Sequence, residues 1–139
     1  MKKYYRQFDH TSDLGVEVEG EDLKKLFTNA ALCLTDLIAG ISSIAPNVRK
    51  IIRVRAGDRE LLLREFLAET LYRFHKDKFL PAKVEINRLS DEELVAILVG
   101  DHLDIDRHSV KREIKSVTFH QLKIEEQNSG FKARFVMDI

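Results

Sequence analysis

The chain has 139 residues, 44% apolar and 33% charged, with 23 basic and 23 acidic side chains and a formal net charge of zero. That length fits one domain, 1–139, able to bury a core. The charge balance excludes a global field drawing the chain to nucleic acid or membrane, although a local basic patch stays open.

Taken in chain order, Lys3 to Phe8 is predicted as a first strand and Leu14 to Glu19 as a second, with Val16 and Val18 alternating against Glu17 and Glu19. Gly20 ends it, and Glu21 or Asp22 caps a first helix. Its apolar stripe runs Leu23, Leu26, Phe27, Ala30, Ala31, Leu34, Leu37 and Ile38, up to Gly40. Cys33 on this helix reads as a small core residue. A lone cysteine forms no internal disulfide, which fits a reducing cytoplasm. Ile41 to Lys50 is a predicted loop and Ile51 to Ala56 a strand with Arg53 and Arg55 on one face. Asp58 caps a second helix whose stripe is Leu62, Leu63, Phe66, Leu67, Leu71 and Phe74, ending before Pro81.

Lys83 to Leu89 alternates like a half-buried strand, and 90–93 turns. Leu94 to Val99 is unbroken apolar sequence fit for a central strand. After a charged connection from Gly100 to Lys111, Ile114 to Glu126 reads as one long strand. Its parity changes, with Val117 and Phe119 on one face and Leu122 and Ile124 on the other, so a bulge is expected near His120-Gln121. Asn128-Ser129-Gly130 turns into a last strand, Phe131 to Asp138. The expected fold is α+β, a mainly antiparallel sheet packed with two helices. No run of about 18 apolar residues exists and the start is polar, so neither a membrane span nor a secretion signal is expected.

The chain has no Gly-rich phosphate loop, no G-x-S-x-G elbow and no multi-cysteine zinc pattern. What it has is acid at both ends. Phe8-Asp9-His10-Thr11-Ser12-Asp13-Leu14-Gly15 precedes the second strand, and Asp138 with Ile139 and its free carboxylate closes the last one. If those segments are neighbours, anionic oxygens converge and must stay apart, hold a proton or bind a cation. Oxygen-only ligands suit Ca²⁺ or Mg²⁺. Sequence periodicity does not establish the pairing, and singly Asp13 reads as a turn residue and Asp138 as an exposed end. His10 reads as a turn-orienting histidine or a base or ligand. His120 lies at the expected bulge, and Lys115 is an exposed cation or a phosphate binder. Asp101-His102-Leu103-Asp104-Ile105-Asp106-Arg107-His108 is a capped polar loop or, if extended, a cation site at Asp104, Asp106 and His108; it lacks the Gly and Glu of a calcium loop. On the residues alone, a hydrolase using Asp13, His10 and Asp138 and a metal-independent chaperone or adaptor both remain open.

Three segments carry a resemblance. The segment from Phe8 to Gly15 is similar to the opening (E/D)HT(A/S)D signature of the archease family. Ile114-Lys115-Ser116-Val117-Thr118-Phe119-His120 resembles its later IKa(V/L)T(Y/F)H segment, and Val136-Met137-Asp138-Ile139 resembles its ending. Ser12, Ser116 and Phe119 depart mildly from the usual residues, and no acidic position departs. The resemblance implies an SHS2-like strand-helix-strand module. It also implies a small accessory protein, not itself an enzyme, of the RtcB-type RNA ligase in tRNA splicing and RNA repair. Such proteins promote guanylylation and multiple turnover of that ligase, and tRNA is met only through it. The resemblance further implies a divalent cation, Ca²⁺ or Mg²⁺, held by Asp13 and Asp138 side chains and a main-chain or terminal oxygen of Ile139.

Overall fold

A computed structural model describes residues 4–10, 13–104 and 110–139, with the backbone alone at Asp9 and His10. Eight strands and two α-helices follow the order β1 Tyr5–His10, β2 Asp13–Gly20, α1 Leu23–Ala39, β3 Val48–Arg55, α2 Arg59–Asp77, β4 Phe79–Leu89, β5 Glu93–His102, β6 Ser116–Val117, β7 Lys123–Gln127 and β8 Gly130–Asp138. They form two antiparallel sheets: β1-β2-β8-β6, with β7 also on β8, and β3-β5-β4. This is the expected α+β class, and β3-α2-β4 supplies the strand-helix-strand order.

Helix α1 starts where local chemistry says it should. The Asp22 carboxylate accepts from the Lys25 amide at 2.7 Å, and Gly40 closes the helix at φ 80°. Its burial exceeds a single stripe. Cys33 is in the core as expected, and Asn29, Thr35 and Ala39 are buried along with the predicted apolar face from Leu26 to Ile38. The reason is the layer order: α1 touches β2 and β8 of one sheet and β4 of the other, so both of its sides face protein. The Thr35 hydroxyl meets its need there by donating to the Pro81 carbonyl at 2.6 Å. Tyr5 ties β1 to the same helix, its hydroxyl donating to the Asp36 carboxylate at 2.6 Å; burial first, and then this bond, push the phenol above its ordinary range.

Helix α2 begins with Asp58 accepting from the Leu61 amide at 2.9 Å and ends at Lys78 in the left-handed region, φ 64°. Asp58→Ala should lower stability by about 1 kcal/mol. Urea unfolding should show a lower midpoint at an unchanged slope; an unchanged midpoint would mean that this cap adds nothing.

Several expectations shift. The first strand runs Tyr5–His10 rather than Lys3 to Phe8, because it pairs with β2 up to the turn. β3 begins at Val48, inside the predicted loop. Pro81 lies within β4, at a register irregularity between Pro81 and Lys83 that accommodates its missing N–H. The long strand from Ile114 to Glu126 is broken outright, not bulged: β6 and β7 are separate, and Gln121 between them adopts φ 55°. Both pieces still pair with β8. β5 is central, as its unbroken apolar run implies. One continuous cluster of buried side chains, including Leu34, Phe66 and Phe135, joins both helices to both sheets.

Candidate functional site

Register decides what meets at the end of the first sheet. β1 and β2 pair antiparallel up to His10, which opposes Asp13. β2 then pairs with β8 over its whole length, and Asp13 opposes Asp138. β6 adds Ser116 opposite Asp138 on the other side. One cross-strand row therefore reads His10, Asp13, Asp138, Ser116. The three segments that carry the family resemblance lie side by side, although they are more than a hundred residues apart at the extremes.

Direct partners on antiparallel strands have Cα atoms about 4.5–5.5 Å apart and side chains on one face. The face can be read from the alternation. Leu14, Val16 and Val18 of β2, like Ala133, Phe135 and Met137 of β8, are buried toward the helices. Asp13 and Asp138 have the opposite parity and are half-buried. The two carboxylates thus share the outer face, at the end of two inner strands rather than along the edge of the sheet.

Neighbouring contacts fix this end. The Phe8 ring lies across Gly15, where an added Cβ would come within 2.2 Å of it, and the Arg134 guanidinium sits 4.1 Å from the ring centroid. On the β6 side the Lys115 amide donates to the Asp138 carbonyl at 2.7 Å, and the Thr118 amide and hydroxyl both donate to the Val136 carbonyl. Arg64 of α2 donates to the Val117 carbonyl at 3.0 Å and lies 4.4 Å from the Phe119 ring centroid. The segment 114–120 is thereby held between β8 and α2.

The donor chemistry of the row is oxygen, which fits a hard cation. Among the described residues no three His, Cys, Asp or Glu side chains gather into a group able to hold a metal ion. The row therefore offers two carboxylates, with the main-chain oxygens of the adjoining Ile139. An ion held there would need water or a partner's oxygens for its remaining positions.

Other candidates fall elsewhere. His10 is in the row by backbone register, but its side chain lies outside the described part. Lys115 is exposed and reaches the row through its main chain. His120 is exposed beyond the row, its amide donating to the Thr118 hydroxyl at 3.1 Å. Asp101 and His102 finish β5 in the second sheet, where the Asp101 carboxylate accepts from Asn47. Asp106 and His108 lie outside the described residues, so the extended arrangement of 104–108 is not part of this structure. Ser116 is a member of the row that sequence reading passed over. Its only signal was its place in the second quoted segment.

Comparison with known proteins gives one family. Residues 5–139 match the model of the Archease protein family. "Protein archease" of Thermococcus kodakarensis is 32% identical, covering 100% of each chain. That of Methanosarcina acetivorans is 31% identical, over 99% of this chain and 97% of its own. The solution structure of Methanobacterium thermoautotrophicum protein 1598 superposes with a TM-score of 0.81 at 29% identity, covering 99% of this chain and 100% of that one. A Thermotoga maritima crystal structure, titled an archease and possible chaperone, gives a TM-score of 0.67 at 21% identity over 96% of both chains.

Proposed function

The chain belongs to the archease family, and from that premise we propose that it is an accessory protein, not itself an enzyme, that binds a divalent cation and activates an RtcB-type RNA ligase. The observation that carries this reading is the opposition of Asp13 and Asp138 in register, beside Ser116 of the second quoted segment. Two carboxylates aligned by backbone pairing repel unless something neutralises them. Nothing in the pairing of β2 with β8 requires acid at this position, since every other outer-face pair in that register differs. Glu17, for example, opposes Arg134 and bonds to it at 3.4 Å.

Asp13 and Asp138 supply the anionic oxygens, and Ile139 a main-chain oxygen. The amide of Lys115 and the pairing of Ser116 hold the Asp138 backbone in place. A hard cation bound there contributes a Lewis-acidic centre with positions open to phosphate oxygens. The chain's own part is to present the row at the tip of a rigid sheet, where a partner's pocket is able to receive it. RNA is met through the ligase.

Guanylate transfer from labelled GTP to the ligase tests this. With Mg²⁺ present, adding the protein should raise the labelled fraction of ligase, and a chelator should remove the increase. No increase at any ratio of protein to ligase would refute activation. Among the described residues no helix is long and apolar enough to cross a membrane, in keeping with a partner in the aqueous phase.

A further inference from the structure

The second sheet has an outer face that the reading above does not use. Leu94, Ala96 and Leu98 of β5 are buried under the helices, so Val95, Ile97 and Val99 point the other way; Val95 and Ile97 are half-buried there, while Val99 is covered by its neighbours. Register sets what flanks them. One row is Arg49, Val99, Lys83, and another is Arg53, Val95, Arg88. Between them lies Ile51, Ile97, Glu85, with Ile51 73% exposed. β5 is central, so the cations of β3 and β4 form two rails roughly 10 Å apart, two spacings of about 4.8 Å. An aliphatic stripe runs between the rails.

The charge here is uneven although the whole chain is neutral. Arg55 and Arg88 share one acid, Glu93, at 3.0 and 3.4 Å. The hydrogen bond from Arg55, and then that from Arg88, hold its carboxyl below the usual range. Arg49, Arg53 and Lys83 make no ion pair among the described residues. Five cations thus face three carboxylates, Glu85, Glu93 and, at the end of β5, Asp101.

We propose that this face docks an amphipathic helix of a partner protein, with an apolar stripe bordered on both sides by Asp or Glu. A helix about 10–12 Å across, laid along the stripe, brings its two flanks over the rails. Its apolar stripe covers Ile51, Val95 and Ile97 while its flanking carboxylates reach Arg49, Arg53, Lys83 and Arg88. Arginine around an apolar centre is also the usual make-up of a protein interface. RNA suits the face less well, because it carries no aromatic ring for a base to stack on and phosphates gain nothing from an aliphatic stripe. A second copy of the chain would set rail against rail. The proposal does not rest on the ligase reading, since this face belongs to the other sheet.

Amide spectra of the ¹⁵N-labelled chain test it, using a helical peptide of about 18 residues, roughly 27 Å long, with a Leu stripe flanked by Glu. The same stripe flanked by Lys, a single-stranded RNA and an RNA hairpin serve as competitors for the reading. The Glu-flanked peptide should shift the amides of Val95, Ile97 and Val99. Arg49→Glu with Arg53→Glu should weaken it by about tenfold or more and favour the Lys-flanked peptide. Arg49→Lys with Arg53→Lys should largely retain binding. Both side chains replaced are exposed, and the spectrum itself reports whether each variant is folded. Tighter binding of either RNA, shifts confined to other surfaces, or no peptide binding would each overturn the proposal.

Discussion

Asp13→Ala and Asp138→Ala are each expected to return ligase turnover to its unstimulated level while the protein stays folded. The two carboxylates face one another across β2 and β8, so removing either one relieves repulsion, and the cation-free fold should change by no more than about 0.2–1 kcal/mol. The native protein behaves differently once a cation is added. A ligand that binds only the folded state stabilises it by about 2.7 kcal/mol at a hundred times its dissociation constant. Thermal melts in rising Mg²⁺ or Ca²⁺ should therefore move upward for the native chain and stay flat for both variants. An unfolded variant would make the residue structural. A folded variant that still stimulates the ligase would remove the row from the mechanism.

Phe66→Ala should cause the largest loss of stability while sparing the site. Phe66 lies on α2, is fully buried, and its ring stacks on Phe27 of α1 with centroids 6.3 Å apart. This is where the two helices of the middle layer meet, so nothing mobile is at hand to fill the hole. Truncation of such a ring costs about 3–5 kcal/mol, a large share of the roughly 5–15 kcal/mol that a domain usually has. Calorimetry should show a much lower melting temperature. Below that temperature the variant should respond to cation and stimulate the ligase as the native protein does, because β2, β8 and β6 keep their register. A change below about 1 kcal/mol, the scale of an ordinary point mutation, would contradict the packing described for this layer.

The sequence was most legible where structure is set locally. Asp22 and Asp58 cap their helices because each carboxylate reaches an amide three residues on. The run from Leu94 to Val99 was readable as a central strand from its unbroken apolar sequence, and it lies between β3 and β4. What depends on distant pairing was harder to read. A single stripe and a core Cys33 were visible on α1, yet Asn29 and Thr35 are buried too, since a second sheet covers the far side. The parity change after Phe119 was visible, but whether the chain bulges or breaks depends on β8, to which both β6 and β7 return. The acidic row was legible only as two acidic ends, whose pairing periodicity did not establish. Which residues oppose one another is a matter of register, and it also brings in Ser116, whose side chain alone carries no signal.

The central claim is that the chain lets a limiting ligase act many times through the Asp13–Asp138 row. Joined RNA formed per molecule of ligase, with the ligase far below the substrate, measures this directly. Activation predicts that product stops near one equivalent per ligase without the protein and rises well beyond it with the protein, and that Asp138→Ala returns it to about one. A chaperone acting without a cation predicts equal stimulation by Asp138→Ala. That result, or product that stays near one equivalent with the native chain, would contradict the account.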